Sequence, residues 1–125
     1  MDAQTLADLR KDRIVDITTT GRKSGQPRRI EIVLVALNDG GFLLSGSPTR
    51  ARSWFANLQA HPDFTVHLKR SRTADLPARA FVVTDEQERR TLTQQMHDSD
   101  PERGKAMTEM EQWVAKSPLV KVEFV

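Results

Sequence analysis

The chain has 125 residues, 38% of them hydrophobic and 29% charged, with no cysteine and a formal net charge of +2. A chain of this length and balance is expected to form a single domain over residues 1–125, and the missing cysteines exclude disulfides, iron–sulfur clusters and thiol nucleophiles. No apolar run approaches the roughly 20 residues that span a bilayer, and MDAQTLADLRKDR lacks the continuous hydrophobic centre of a secretory signal, so a cytoplasmic protein is expected.

Residues from about Gln4 to Lys11 predict a short helix, with Leu6 and Leu9 on one side, that covers one end of a sheet. Ile14 to Thr20 is rich in β-branched residues and reads as a strand. Arg29 to Leu37, RIEIVLVAL, reads as a second strand, apolar on nearly both faces, the pattern of an interior barrel strand. Asn38-Asp39-Gly40-Gly41 supplies a hairpin turn and Phe42 to Ser45 the returning strand, so the first three strands are expected to be antiparallel neighbours.

Between the first two strands lies the loop of TTTGRKSGQPRR, Thr18 to Arg29. Gly21 and Gly25 permit tight turns, and Pro27 returns the chain to extended geometry. Thr20, Ser24 and the loop amides add hydrogen-bonding groups beside Arg22, Lys23, Arg28 and Arg29, an arrangement that suits a phosphate or carboxylate. The same residues also suit an ordinary solvated hairpin tip. Charge distribution favours the ligand. From Ile17 to Thr73 nine lysines or arginines face three carboxylates, whereas the remainder of the chain is acidic. Such asymmetry points to an anionic partner.

Gly46-Ser47-Pro48-Thr49 breaks the third strand. From Arg50 to Ala60 the residues Ala51, Trp54, Phe55 and Leu58 recur at helical spacing. The start of this helix points its free amides toward Ser45 and Thr49, with Arg50 and Arg52 adding positive charge. Phe55 reads as core, and Trp54 suits either a core stripe or a stacking surface. His61-Pro62 stops the helix. Phe64, Val66 and Leu68 then alternate with polar residues, His67 among them, and Arg70 to Ala74 reads as a turn.

Asp75 to Pro77 leads into a partner strand over Ala78 to Val83. Asp85 with Glu88 predicts a capped helix through about His97 whose thin apolar face places it on the surface. Asp98 to Gly104 reads as a polar connection; Met107, Met110, Trp113 and Val114 predict a further helix, and Leu119 to Val125 a closing strand. The fold class is therefore α+β, mainly antiparallel: a small barrel of about six strands with peripheral helices. There is no GxGxxG, no Walker loop and no GxSxG setting for Ser24, Ser45 or Ser47; His61, His67 and His97 lack metal-ligand spacing, so no metal is expected. Without paired stacking aromatics or a helix-turn-helix cue, no nucleic-acid partner is expected either.

TTTGRKSGQPRR, the apolar strand after it, and SGSPTRARSWFANLQAHPDFTVHL together resemble the deazaflavin-dependent nitroreductase family, within the flavin and deazaflavin oxidoreductases of split β-barrel fold. The similarity runs from about Ile14 to Val83 and again at Ser117 to Val122. It implies a barrel like that of flavin mononucleotide-binding proteins and the deazaflavin coenzyme F-420, with flavin mononucleotide (FMN) as the alternative cofactor. Carried over by position, Arg22, Lys23 and Arg28 meet the phosphate and acidic tail of the coenzyme. Thr20, Ser24 and Gly25 would shape the loop, Ser45, Gly46 and the start of the Arg50 helix would lie along the same groove, and Trp54 matches an aromatic position of the family.

The implied activity is hydride transfer from reduced deazaflavin to an electron-poor small molecule such as a quinone, nitroaromatic or enone, by a monomer or homodimer. The alternatives are an FMN-binding barrel protein and a cofactor-binding module without turnover. The family's nitroreductases carry tyrosines around the substrate in the C-terminal third, and this chain has none. Met107, Met110 and Trp113 occupy that region, which implies an apolar substrate pocket shaped by the C-terminal helices, with no side chain assigned as catalytic acid and solvent as the proton source.

Overall fold

The structure, a computed structural model, describes residues 1–50 and 52–125; Ala51 of the predicted helical stripe lies outside the described residues. Six strands form a closed antiparallel barrel: β1 (Ile14–Thr20), β2 (Pro27–Ala36), β3 (Phe42–Ser45), β4 (Asp63–Leu68), β5 (Ala74–Val82) and β6 (Leu119–Phe124), in the order β1-β2-β3-β6-β5-β4. Strand β1 closes the ring because it pairs along both edges, Ile17 standing opposite Ile30 of β2 and Val66 of β4. The first three strands are antiparallel neighbours as their turns predict.

Alternation along each strand sends one set of side chains inward. Val15, Ile17, Leu34, Leu44, Val66, Leu68 and Val120 fill the barrel, none more than 1% exposed. Each contributes on the order of 1.5–3 kcal/mol by leaving water. A second apolar layer lies outside the wall, where Val35, Leu37, Leu43 and Leu119 meet Leu92 and Met96 of α3 (Glu86–Asp98), with Met107 beyond it. Helix α3 thus buries its narrow apolar stripe and exposes the rest, capped by the Asp85 carboxylate, which accepts the Glu88 N–H at 2.9 Å.

Two helices stand at the barrel's mouths. Helix α1 (Ala3–Asp12) seats Leu9 in the core at one end, while Leu6 stays exposed. Its polar side grips the β4–β5 turn: Asp8 accepts from Arg72 Nε at 2.8 Å and Asp12 from the Ser71 N–H at 2.9 Å. Helix α2 (Ser53–Ala60) seats Trp54 and Leu58 at the other end. It begins three residues later than its periodicity predicts, with Arg52 extended at the N-cap.

Four further sequence expectations change. Strand β2 is buried on both faces only in its second half; Pro27 to Glu31 are exposed, because α2 does not reach over them. Strand β5 begins at Ala74 and runs through Pro77, whose carbonyl accepts the Val125 N–H at 3.1 Å beyond the end of β6, so no ladder bond needs its missing N–H. His67 is buried rather than on a wet face, held between Thr18 Oγ1 and Asp75 Oδ1, each at 2.7 Å. The predicted connection after Asp98 contains α4 (Pro101–Ala106), started by proline at its first turn and by Asp100 accepting the Glu102 N–H at 3.0 Å.

Helix α5 (Met110–Lys116) is tied to α3 and the barrel through Arg89, which donates to the carbonyls of Val114, Val83 and Ser117 at 2.7, 2.9 and 2.6 Å. Arg89→Met leaves three carbonyls without their charged donor and is expected to cost about 2–4 kcal/mol. A lower urea midpoint at unchanged slope checks this. At the other end Arg72, then Gln4, holds the Asp8 carboxyl below its usual range by hydrogen bonding. That stabilisation is present at neutral pH and is lost as pH falls through the lowered folded value, below about 4. Asp8→Asn is expected to flatten the acid limb of a stability–pH curve, with Tm measured from pH 6 to pH 3.

Candidate functional site

The β1–β2 hairpin is built so that its cations stand beside α2. The Gly21 N–H donates to Gln26 O at 2.8 Å and the Gly25 N–H to Gly21 O at 2.9 Å. A side chain at Gly21 would meet Ser24 Oγ at 2.5 Å, and Gly25 takes φ +70°, which favours glycine. Ser24 Oγ accepts the Gln26 N–H at 3.1 Å. The tip is therefore set by its own backbone, and Arg22, Lys23 and Arg28 project from a defined frame.

Asn57 fastens this frame to α2. It is 4% exposed; its Oδ1 accepts the Arg22 N–H at 3.0 Å and its Nδ2 donates to Thr19 Oγ1 at 3.1 Å. Between hairpin and helix runs a cleft. Its first lobe, about 320 Å³, is lined by Thr19, Arg22, Lys23, Arg28, Trp54 and Asn57 among others. Ile30, Ser53 and Trp54 continue it into a second lobe of about 410 Å³ that takes in Ile32, Arg50 and Arg52. Each lobe falls within the roughly 300–1,000 Å³ of small-molecule sites.

The floor is apolar and open. Ile30 remains 36% exposed on the first half of β2, an uncovered aliphatic surface beside five cationic side chains. Trp54 settles between the two roles its spacing allows by taking both: it is 5% exposed within the core cluster, yet it lines each lobe.

Cations sort by partner. On the barrel's outer face Arg29 meets Asp16 at 3.0 Å, and Lys69 meets Asp16 at 2.7 Å and also Glu31. Lys69 first, then Arg29, holds the Asp16 carboxyl below its usual range, and Asp16 raises the Lys69 ammonium in return. Arg72 is held by Asp8 at 2.8 Å. By contrast, among the described residues no carboxylate lies within 4.0 Å of the Arg22, Lys23, Arg28, Arg50 or Arg52 head groups. Burial, then the like charge of Arg50, disfavours the charged form of Arg52.

Three of the four buried side-chain polar atoms without a hydrogen-bond partner among the described residues, Ser45 Oγ, Arg52 Nε and Trp54 Nε1, belong to the end of β3 and the start of α2. Such orphans are rare in folded proteins, and here they gather beside an open cleft.

Of the residues singled out from sequence, Arg22, Lys23, Ser24, Arg28 and Trp54 line the first lobe, and Arg50 joins Trp54 in the second. Thr20 ends the ladder opposite Pro27 and lines neither lobe; Gly25 is an exposed turn residue. Ser45 and Gly46 lie outside both lobes, and the Arg52 guanidinium packs where a Gly46 side chain would stand. Sequence reading missed Thr19, Ile30, Ile32, Ser53 and Asn57, and took Gly21 as a turn residue only. A polar Asn57 between Trp54 and Leu58 on the helix's apolar side was the available signal. Met107, Met110 and Trp113 pack in the outer layer beside Val35 and Leu43, so the C-terminal helices do not shape this cleft.

The sequence model of the F420H(2)-dependent quinone reductase family matches residues 1–115. Among solved structures, an F420-H2 dependent reductase (FDR-A) is 27% identical, with a TM-score of 0.64 over 89% of this chain and 94% of its own. A chain solved as a domain-swapped dimer is 24% identical, with a TM-score of 0.63 over 89% of this chain and 80% of its own. A conserved hypothetical protein of Mycobacterium tuberculosis shares the fold at 15% identity, with a TM-score of 0.71 over 99% of this chain and 80% of its own.

Asn57→Leu keeps the branching and heavy-atom count, at a larger volume, and removes both hydrogen bonds, stranding the Arg22 N–H and Thr19 Oγ1. It is expected to cost about 1–3 kcal/mol and to speed amide hydrogen exchange at Arg22 while leaving Val66 in β4 protected.

Proposed function

The chain belongs to the F420H(2)-dependent quinone reductase family, and we propose that its cleft holds the deazaflavin coenzyme while a quinone or another electron-poor small molecule accepts the hydride. The fold is the split barrel of that family, and the enzyme is an F-420-dependent reductase. The observation that carries the assignment of the site is the sorting of charge: among the described residues Arg22, Lys23 and Arg28 lack carboxylate partners and stand beside an exposed aliphatic floor, while Arg29 and Lys69 on the outer face are neutralised.

The residues fit the group. Arg22, Lys23 and Arg28 would take its phosphate and acidic tail; Ile30, Ile32 and Trp54 would take the face of its aromatic ring system; and the orphaned Trp54 and Arg52 donors would gain an acceptor. When bound, the reduced deazaflavin supplies the hydride. The protein's part is to hold, orient and screen: the hairpin cations fix the charged end, and Asn57 keeps the hairpin against α2 so that the cleft keeps its width. Glu31 lines the second lobe and is paired with Lys69; protonation of the acceptor is assigned to solvent.

Binding is read by quenching of oxidised F-420 fluorescence. Lys23→Ala combined with Arg28→Ala is expected to weaken it at least about tenfold and to flatten its salt dependence, whereas Arg29→Ala, removing a cation already paired with Asp16, leaves it within about twofold. An absence of binding at low salt overturns the assignment. Steady oxidation of reduced cofactor with a quinone separates a reductase from a binding module, and a yellow protein as isolated would favour FMN.

A further inference from the structure

A second cationic cavity lies at the opposite end of β1 from the cleft. Thr19 and Ile14 bound the two sites from positions about 17 Å apart along the strand. Where α1 ends, Arg13, Arg70 and Arg103 surround a cavity of about 340 Å³ over Ile14 and Val33. The three arginines come from the end of α1, the β4–β5 turn and α4.

Two carboxylates share the cavity, Asp12 and Asp100, and among the described residues neither pairs with Arg70 or Arg103. Asp12 accepts the Ser71 N–H on one oxygen, at 2.9 Å, and the Ser71 hydroxyl on the other. Asp100 accepts Arg13 on one oxygen and the Glu102 N–H on the other, each at 3.0 Å. Among the described residues no carboxylate lies within 4.0 Å of the Arg70 or Arg103 guanidinium.

Arg103 Nε is buried without a hydrogen-bond partner, the one such orphan away from the start of α2. Burial, then the like charge of Arg13, disfavours its charged form. Arg13 itself takes φ +60°, where residues other than glycine are uncommon, and it is held there by its N–H donating to Leu9 O at 3.3 Å and its carbonyl accepting the Leu34 N–H at 2.7 Å. An unusual backbone position, a buried donor with nothing to donate to, and two unpaired guanidiniums thus meet in one cavity.

We propose that this cavity binds a single oxyanion, a carboxylate or a phosphate, carried on a small molecule whose apolar body rests on Ile14 and Val33. Arg103 and Arg70 are its cations, and guanidinium groups match either oxyanion with paired hydrogen bonds. Three arginines against two carboxylates leave the cavity net positive, which one anionic group offsets. Because the ligand would touch α1, the β4–β5 turn and α4 together, its binding ties the C-terminal helices to the end of the barrel.

The test follows the arginine Nε–Hε resonances of the full ¹⁵N-labelled chain while benzoate or phenyl phosphate replaces chloride at constant ionic strength. A saturable shift of the Arg103 signal with either titrant is expected, and the one that binds more tightly identifies the oxyanion. Arg103→Gln and Arg70→Gln are each expected to weaken binding about tenfold, and Lys23→Ala to leave it unchanged. Arg70 is exposed on a turn, so its variant keeps the test intact if Arg103→Gln fails to fold. No saturable Arg103 shift with either titrant, or undiminished affinity in Arg70→Gln, overturns the proposal.

Discussion

Closing six strands into a ring makes two mouths, and each must be filled with apolar side chains or left open to water. That constraint governs the rest of the molecule. Helix α1 fills one mouth with Leu9 and fastens its acidic side to the β4–β5 turn. Helix α2 is eight residues long and fills only part of the other, with Trp54 and Leu58. The β1–β2 hairpin runs past α2, so the first half of β2 keeps apolar side chains for which the barrel has no cover. The cleft is what a short plug leaves behind.

Polar chemistry then divides along the same wall. Exposed ion pairs stabilise a protein by about 1 kcal/mol at most, so the Asp16, Arg29, Lys69 and Glu31 network matters less for folding than for the field it cancels. Neutralising those two cations on the outer face concentrates positive potential at the hairpin and the start of α2, where low-dielectric walls sharpen it. Asn57 joins the two halves. Its position in the core makes the geometry of the cationic hairpin depend on the packing of Trp54 and Leu58 beside it.

The second arginine cluster shows the same logic at the other mouth with a different outcome. There Asp12 and Asp100 are drawn into turn and cap hydrogen bonds, and their absence from ion pairing with Arg70 and Arg103 leaves charge unspent. Arg103 sits on α4, the helix that stands where a polar connection was expected; the Asp100 cap and Pro101 start it, although its six residues carry no apolar stripe.

Strand identity and order were legible in the chain because a two-residue period, β-branched runs and Gly-Asn-Asp turns are local: β1 and β3 have the bounds read for them, and the GRKSGQPR loop announced a cationic hairpin. The sequence by itself therefore determined an antiparallel barrel, its family, and which loop carries charge. It did not determine which cations stay unpaired, since Asp16 neutralises Arg29 and Lys69 only across neighbouring strands. Nor did it show that the first three residues of RIEIVLVAL are bare, that Asn57 latches Thr19 from 38 residues away, or that Met107 and Trp113 pack in the outer layer. Those are decided by what packs over a surface, and burial and pairing are properties of the closed barrel, not of any stretch read alone.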